Sequence, residues 1–504
     1  MRTIQTSISA CLGWILCTCA SVTDAHNQPD LSDILFTPSA IQSTQLDALR
    51  SAHEHGLAAS DYDVQILEEM AADPDSAVND QFIARLNTAF RRYAEDISLG
   101  RPSPLTDPDW HIPQQPSFAD KPETTISDIE NLPPPHPAYE RLHGAMIRYQ
   151  ALQERGGWKI IPAGPKLSLG ILHPQSELVR NRLRMTNDYD GTTPANAYLF
   201  DSALDRATRG FQARHGLLVN GIIDEATRRV MNVSLEDRIQ QLSIAMERWR
   251  WLPRSLGDEY VWVNAAEAKL NIIIDGKSVL SMRTIVGHST RPTPSLQSEI
   301  RRVVFNPTWS VPYSIATEDL LPKLRNDHSF LTRNGFRVYT GSSNNTREVN
   351  PTDVDWSDIS PNSFPYRFIQ QSGPGNSLGR IKFVFDNPHN IYIHDTPSKG
   401  LFGLRTRTFS SGCVRLEQAD EFANALLAAD RDWSDTDTQR YLDDDHTQGI
   451  NLQRKIPIYV VYITSWVTED GQAHFRRDLY HRDAAVGDAS IAHRQLPINH
   501  PHQF

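Results

Sequence analysis

The spacing of apolar residues changes near residue 258, and this change divides the chain into a helical part and a β-rich part. Before it, apolar side chains recur at helical intervals, for example at Phe82, Leu86, Phe90 and Tyr93. After it, β-branched runs such as 260–263 are separated by turn sequences. A chain of 504 residues is also too long for a single compact core. The sequence therefore predicts a multidomain α+β protein.

Proline-rich joints and changes of periodicity divide the chain further. We predict a signal segment at 1–25, a helical scaffold domain at 26–165, a three-helix unit at 166–233, a linking helix at 234–257, a β-rich domain at 258–480 and a C-terminal tail at 481–504. Within the β-rich domain, residues 312–379 read as a long insertion of loops and short helices. An insertion of that size between strands of one sheet usually covers a functional site, so we expect a capping subdomain.

The unit at 166–233 has the capping and turn residues of a small helical domain. Asp201 and Asp224 are positioned to cap two helices, and Asn220-Gly221 predicts a tight turn between them. This block resembles the three-helix peptidoglycan-binding domain that accompanies many cell-wall enzymes. The resemblance implies affinity for peptidoglycan. A helical packing module without ligand affinity is the alternative.

The N-terminus has the features of an export signal. Arg2 supplies a positive charge, residues 8–20 are mostly apolar, and residues 23–25 offer a cleavage site. We therefore expect an exported protein of the periplasm. Residues 16–19 distantly resemble a lipobox, so a lipid-anchored form is the alternative. No other apolar run of about 18 residues occurs, and membrane association is expected only through a retained signal or a lipid.

Charge and cysteine content narrow the function. The net charge of −11 argues against a nucleic-acid partner, because phosphate binding requires a basic surface. Three of the four cysteines, Cys11, Cys17 and Cys19, lie in the predicted signal, which leaves Cys413 as the single thiol of the mature chain. Cys413 is then either an incidental buried thiol or a reactive one.

The neighbours of Cys413 favour a reactive thiol. A thiol is only a few per cent ionised at neutral pH, so it needs a base within reach to attack an amide. His394 ends a predicted strand, and a loop of about eighteen residues can bring it back to Cys413. Gly412 allows a tight turn, so the amide groups of Gly412 and Cys413 could face a developing oxyanion.

The segment 410–415, Ser-Ser-Gly-Cys-Val-Arg, resembles the catalytic motif of the L,D-transpeptidase family. His394 falls on the general base of that family and Cys413 on its nucleophile. Ser411 and Gly412 are the two residues before the nucleophile. The resemblance further implies that the backbone carbonyl of Asp395 orients the imidazole, and that Tyr392 lines the site near the oxyanion.

Three further residues are assigned to substrate binding, namely Arg415, Arg407 and Thr396. Arg415 is the polar residue two positions after the nucleophile. Arginine suits carboxylate recognition because its planar fork donates two hydrogen bonds. Orientation of the loop and plain surface charge are the alternatives for both arginines. No cofactor or metal is expected, since no cluster of metal ligands is apparent in the sequence.

The resemblance implies an enzyme that acts on peptidoglycan stem peptides. Cys413 would attack a donor tetrapeptide, release D-alanine and form a thioester, and an acceptor stem would then give a 3→3 crosslink. Inhibition by carbapenems is implied as well, and other wall-synthesis enzymes are possible partners. The alternatives are an L,D-carboxypeptidase, a transpeptidase that attaches lipoproteins, and a wall-binding scaffold with a vestigial thiol.

Overall fold

The computed structural model describes residues 38–72, 80–101, 106–113, 126–341 and 345–487. The predicted signal at 1–25, with its three cysteines, and most of the tail lie outside these residues. The helical part and the β-rich part are both present, so the predicted multidomain α+β class is confirmed. No helix among the described residues is long and apolar enough to cross a bilayer.

The N-terminal part is helical and shares its core with the rest of the molecule. The face formed by Phe82, Leu86, Phe90 and Tyr93 is buried, as its spacing predicts. These side chains belong to one apolar cluster with Met246 of the linking helix and residues near the end of the β-rich domain. The helices of this part are Pro38–Arg50, Val64–Ala72, Asp80–Leu99, Ile126–Glu130 and Pro137–Glu154.

A three-helix unit follows, with its own small core around Leu183, Phe200 and Phe211. Both predicted caps are present: the Asp201 carboxylate accepts a hydrogen bond from the Leu204 amide at 2.8 Å, and Asp224 accepts one from Thr227 at 2.8 Å. The helices are Gln175–Met185, Ser202–Arg214 and Glu225–Met231.

The linking helix Leu235–Arg250 joins this unit to the sheet. The Ser234 hydroxyl caps its first turn by accepting a hydrogen bond from the Asp237 amide at 3.0 Å. Near its end, the Trp249 ring stacks on Trp262 of the sheet with 5.1 Å between ring centroids. The helix therefore braces the sheet from one side.

The β-rich domain is built on a sheet that closes on itself. Strand β5 pairs with β10 at one edge and β14 at the other, and the remaining strands connect these two in the order β10-β11-β13-β4-β3-β2-β14. The strands are β2 Glu259–Asn264, β3 Lys269–Ile274, β4 Lys277–Gly287, β5 Ser295–Phe305, β10 Ile381–Phe385, β11 Ile393–His394, β12 Thr408–Ser410, β13 Val414–Leu416 and β14 Gln448–Val461. Helices Ala419–Asp430 and Asp435–Asp443 follow β13, and a hairpin of β15 Ser465–Val467 and β16 Ala473–Phe475 follows β14.

The hairpin turn between β3 and β4 is the one the sequence predicts. Asp275 and Gly276 both have positive φ, at 49° and 74°, which matches a two-residue type I′ turn. Gly276 takes this conformation without the steric cost that a side chain would add. The turn fixes the register of β3 against β4, and β4 pairs with β13 on its other side.

A short strand from the N-terminal part joins the same sheet. This strand, β1 Trp110–His111, pairs in parallel with Ser295 and Leu296 at the start of β5. Next to it, the carboxylate of Asp107 accepts hydrogen bonds from Arg482 Nε at 2.7 and 2.9 Å, and both side chains are buried. A segment far from the β-rich domain in sequence is therefore part of its sheet.

The insertion differs from its prediction. It was expected to consist of loops and short helices, but it also contains a four-stranded antiparallel sheet in the order β6-β9-β7-β8. Aromatic residues at alternating positions, such as Phe368 and Phe336, give this sheet a core that surrounds the buried Trp356. The strands are β6 Trp309–Ser310, β7 Phe336–Thr340, β8 Arg347–Val349 and β9 Tyr366–Gln370, with helices Ile315–Leu320, Leu321–Asn326 and Phe330–Arg333.

Candidate active site

The register of two short parallel strands brings the candidate catalytic residues together. In the pairing of β11 with β13, Ile393 lies opposite Val414 and His394 opposite Arg415. Ile393 and Val414 are fully buried on one face of the sheet. Because side chains alternate along a strand, His394 and Arg415 point to the other face. Cys413, one residue before Val414, is on that same face.

A lysine from the next strand completes the row. Lys382 of β10 pairs with His394 in antiparallel register, so both side chains lie on the same face. Its Nζ lies 3.7 Å from the centroid of the Tyr392 ring, which is cation–π distance. Cys413, His394, Tyr392, Arg415 and Lys382 therefore share one surface of the sheet.

His394 is held in one orientation. Its ring is 4% exposed, and Nδ1 lies 2.5 Å from the backbone carbonyl oxygen of Asp395. This carbonyl is the one that the family resemblance assigned to orienting the imidazole. Burial lowers the pKa of His394 to about 3, helped by the positive charge of Arg415 and opposed by the carbonyls of Asp395 and Leu378. The imidazole is therefore neutral at physiological pH.

A glycine keeps the orienting carbonyl in place. Gly379 has φ +63°, and a Cβ added there would lie 2.3 to 2.6 Å from side-chain atoms of Asp395. The Asp395 carboxylate fills that space, accepting a hydrogen bond from the Arg380 amide at 2.9 Å and pairing with Lys399 Nζ at 2.6 Å. Only glycine fits both the backbone angle and the contact.

The Cys413 thiol is partly exposed and lies near a backbone carbonyl. Its Sγ lies 3.9 Å from the carbonyl oxygen of Asn390, and no hydrogen bond joins it to His394 among the described residues. The pKa of the Cys413 thiol is raised overall, because burial outweighs a backbone hydrogen bond from Tyr392 and the charges of Lys382 and Arg415, which lower it. Catalytic hydrogen bonds are often long in substrate-free enzymes and shorten in the complex.

The turn before Cys413 is pinned by hydroxyl groups. Gly412 has φ +107°, and its carbonyl accepts a hydrogen bond from Thr293 Oγ1 at 2.8 Å. Its amide donates to Ser410 Oγ at 3.2 Å, and Ser410 Oγ also donates to the Cys413 carbonyl. The Gly412 amide, which the sequence nominated for an oxyanion, is thus already engaged. The Cys413 amide is left as the candidate donor.

Ser411 connects the nucleophile to the capping subdomain through Arg291. Arg291 Nη1 lies 3.1 Å from Ser411 Oγ and 2.7 Å from Asp319 Oδ2, and Nη2 lies 2.5 Å from Glu318 Oε2. A cleft of about 610 Å³ opens here. Its lining residues are His288, Thr290, Arg291, Ser314, Glu318 and Asp319.

Arg415 has no hydrogen-bond partner for its guanidinium among the described residues, and its Nε is buried. Burial lowers the pKa of Arg415, and Cys413 acts in the opposite direction. A cation left without a protein carboxylate is suited to a ligand carboxylate, because burial of an unpaired charge is costly. The assignment of Arg415 to substrate binding stays a prediction.

The other two residues assigned to substrate binding, Arg407 and Thr396, make hydrogen bonds with the backbone. The Arg407 guanidinium donates to the backbone carbonyls of Thr284, Leu404, Glu267 and Ala268, at 3.1 to 3.3 Å. It therefore fixes the loop before β12. Thr396 is 1% exposed, and its hydroxyl accepts a hydrogen bond from the Ser398 amide at 3.2 Å. Both side chains contact the local backbone, and a role for either in substrate binding stays a prediction.

Sequence reasoning missed Lys382, Arg291 and Asp319. Lys382 could have been found from the sequence, because it is the one charged residue of strand Ile381–Phe385. It lies on the face opposite to the buried residues of that strand. Arg291 and Asp319 meet only through the fold, and nothing in their spacing indicates it. Among the described residues, no group of three or more potential metal ligands occurs.

Comparison with known proteins identifies the domain that carries this site. Residues 258–439 match the YkuD family model, the L,D-transpeptidase catalytic domain, and residues 36–146 match a model described as Scaffold domain. A Haemophilus influenzae protein named "Putative L,D-transpeptidase" is 34% identical over 252 residues, which is 50% of this chain and 50% of the relative. The chain thus matches about half the length of that relative.

Two solved structures align with the chain at low similarity. An L,D-transpeptidase from Stackebrandtia nassauensis is 13% identical with a TM-score of 0.23, covering 59% of this chain and 97% of its own. One from Xylanimonas cellulosilytica is 13% identical with a TM-score of 0.17, covering 59% and 98%. All five residues of the shared face lie within the segment matched by the family model. The part of the β-rich domain that carries this site therefore matches the model of the L,D-transpeptidase catalytic domain.

Proposed function

We propose that this protein is a peptidoglycan L,D-transpeptidase that forms 3→3 crosslinks through a thioester on Cys413. The observation that carries the proposal is the register of β11 and β13, which sets Cys413 and His394 on one face within the segment that matches the family model. The neutral imidazole and the unpaired Arg415 beside it suit an acyl transfer from a substrate that bears carboxylates.

In the acylation step, Cys413 Sγ attacks the carbonyl carbon at the L-centre of the third residue of a tetrapeptide stem. The thiol proton passes to the free nitrogen of His394, and the oxyanion accepts a hydrogen bond from the Cys413 amide. When the intermediate collapses, the carbon–nitrogen bond breaks and His394 returns the proton to the amine of D-alanine, which leaves. A thioester between Cys413 and the stem remains.

In the second step, the side-chain amine of a neighbouring stem attacks the thioester. His394 accepts a proton from that amine and delivers it to the departing sulfur of Cys413, so the thiol is restored and an amide crosslink is formed. Diaminopimelate is the acceptor implied by the family. The cleft lined by Arg291, whose guanidinium contacts Ser411, is the proposed place for this acceptor.

Two other activities would use the same thioester. Water in place of the amine would make the protein an L,D-carboxypeptidase, and a lipoprotein lysine would make it a lipoprotein-attaching enzyme. Analysis of digested cell walls from cells that produce the protein separates these outcomes. We expect more 3→3 linked dimers than in cells producing Cys413→Ala. A rise in tripeptide stems without such dimers contradicts the crosslinking activity.

A wall-binding scaffold with a vestigial thiol is the non-enzymatic alternative. Intact-protein mass spectrometry after exposure to meropenem distinguishes it, because only a reactive thiol opens the β-lactam ring. We expect a covalent adduct on the wild-type protein and none on Cys413→Ala. The same adduct on both proteins would overturn the assignment of the nucleophile.

The proposed function also implies where the protein acts and what it binds. We propose that the protein is exported to the periplasm, that the three-helix unit binds peptidoglycan, and that other wall-synthesis enzymes are its partners. Binding of the purified protein to isolated cell walls, compared with a chain lacking residues 166–233, tests the role of the three-helix unit. Equal binding by both proteins would contradict it.

A further inference from the structure

We propose that Lys382 supplies the positive charge that stabilises the Cys413 thiolate, an inference that rests on the proposed function of Cys413 as the nucleophile. In many cysteine enzymes an imidazolium has that role. Here the arrangement of the sheet gives it to a lysine of a neighbouring strand. His394 is then needed for proton transfer during the reaction and has no part in stabilising the resting thiolate.

The position of the Lys382 ammonium is fixed by two independent contacts. The backbone pairing of β10 with β11 sets Lys382 beside His394. The ammonium then lies 3.7 Å from the centre of the Tyr392 ring, and such a contact favours the charged form of the lysine. Ile393 pairs with Val414 in the parallel register. The residues before them, Tyr392 and Cys413, are therefore side by side as well.

Within the part of the chain that the structure describes, the charged groups that act on the pKa of Cys413 are both positive. They are Lys382 from β10 and Arg415 from β13, while β11 contributes the neutral groups of Tyr392 and His394. Lys382 forms no ion pair with a carboxylate among the described residues. The carboxylate of Asp395, which follows His394, already pairs with Lys399 at 2.6 Å. A thiolate is therefore the natural counter-ion for Lys382.

Three observations favour Lys382 over the other candidates. His394 is neutral, and its ring makes no hydrogen bond with the thiol. Both Lys382 and Arg415 lower the pKa of Cys413, and the effect of Lys382 is the larger of the two. The influence is mutual, since burial lowers the pKa of Lys382 and Cys413 raises it. Arg291, which reaches Ser411, is already paired with two carboxylates.

The proposal involves proton movement only. When the free thiol ionises, its proton passes to solvent and the ammonium stabilises the thiolate that remains. When a protonated thiol attacks a substrate, its proton passes to His394 instead. In both cases Lys382 keeps its three protons, and no covalent bond to it forms or breaks.

The pH dependence of Cys413 alkylation tests this role. Iodoacetamide is neutral and small, so its reaction rate follows the thiolate fraction and not the recognition of a substrate carboxylate. The full chain is alkylated between pH 5 and 10, and the peptide that contains Cys413 is quantified by mass spectrometry. The variants are Lys382→Met, Lys382→Arg, Lys382→Gln and His394→Gln, and Lys455→Met removes one exposed lysine of the same domain as a control.

We expect Lys382→Met and Lys382→Gln to raise the midpoint of the curve of alkylation rate against pH by about one pH unit. The alkylation rate near pH 7 then falls about tenfold. Lys382→Arg restores most of the rate, and His394→Gln and Lys455→Met leave the midpoint unchanged. Thermal unfolding identifies any variant that does not fold, and either neutral variant suffices for the test. An unchanged midpoint in the folded neutral variants, or a shift in His394→Gln instead, would overturn the proposal.

This experiment is independent of the proposed function. Alkylation reports the charge state of the thiol whether or not the protein crosslinks peptidoglycan. A shifted midpoint in cells without new 3→3 dimers would therefore retain the role of Lys382 and reject transpeptidation. An unchanged midpoint in cells with new 3→3 dimers would retain transpeptidation and reject the role of Lys382.

Discussion

Arg291 joins Ser411, two residues before the nucleophile, to the capping subdomain, with its Nη1 3.1 Å from Ser411 Oγ and 2.7 Å from Asp319 Oδ2. A second carboxylate, that of Glu318, accepts from Nη2. The position of the capping subdomain is thereby coupled to the loop that carries Cys413. Movement of helix Ile315–Leu320 away from the sheet would break both contacts at once.

Replacement of this arginine should loosen the capping subdomain. Because the carboxylates are partly exposed, the pairs contribute about 1 kcal/mol. We expect Arg291→Gln to increase deuterium uptake of residues 314–320 about fivefold, measured by hydrogen exchange and mass spectrometry. Arg333→Gln, which breaks the exposed pair with Asp327 in the same subdomain, is the matched control and should leave that segment unchanged. Equal uptake in wild type and Arg291→Gln would contradict the coupling.

A methyl group at Gly379 should displace the carbonyl that orients His394. The positive φ and the contact with Asp395 predict that Gly379→Ala lowers the free energy of unfolding of the catalytic domain by about 1–3 kcal/mol. Acylation by meropenem should slow as well, because the imidazole loses its fixed orientation. Gly400→Ala, where an added Cβ meets nothing within 4 Å, provides the control for the substitution itself. Normal acylation by a folded Gly379→Ala protein would be inconsistent with this role of Asp395.

His394 should remain neutral across the physiological range. Burial disfavours the imidazolium, so the ring takes up a proton only near its pKa of about 3. An unfolded histidine does so near pH 6.5, and the contribution of His394 to stability therefore falls as the pH drops between these values. In protein with carbon-13 labelled histidine, the signal missing from His394→Gln should not titrate between pH 5 and 8. Exposed His446, whose pKa is raised by its hydrogen bond to Asp444, should titrate in the same spectra.

A His394 signal that titrates near pH 6.5 would show that the ring is hydrated. It would also restore the imidazolium as a candidate partner of the Cys413 thiolate, because a protonated ring could then carry the charge.

The two arginines near the nucleophile should respond in opposite ways to loss of charge. Arg407→Met removes donors to four backbone carbonyls and should lower the thermal unfolding temperature, because each buried carbonyl left unpaired costs about 1–3 kcal/mol. Arg415→Met removes an unpaired guanidinium and should leave that temperature unchanged or higher, while weakening use of the tetrapeptide donor. Calorimetry and release of D-alanine measure the two effects. The reverse pattern would exchange the roles of the two residues.

Local chemistry made much of this molecule predictable from the sequence. The caps at Asp201 and Asp224 and the turn at Asp275-Gly276 depend on residues within four positions of each other, and all three are present. The nucleophile and the histidine could be nominated because both stand in a short motif. The sheet of the capping subdomain was missed, since Asn-, Ser- and Pro-rich segments around its short strands read as loop.

The remaining features depend on contacts between distant segments. Arg407 was assigned to substrate binding because the sequence does not show its carbonyl partners, which lie as far as 140 residues away. The turn at Gly412 is held by Thr293, 119 residues away, and in this turn the Gly412 amide, which was assigned to the oxyanion, donates to Ser410 Oγ. Sequence identifies which groups can perform chemistry, but the contacts decide which of them are still available.

Strand β1 limits how the β-rich domain can be moved between proteins. A fragment cut to the family match, 258–439, would lose β1 and also β14, which pairs with both β2 and β5. Two exposed strand edges would remain, and unpaired edges promote aggregation. The matched segment is thus not expected to fold alone. During evolution, the segments that carry β1 and β14 would have been inherited together with it.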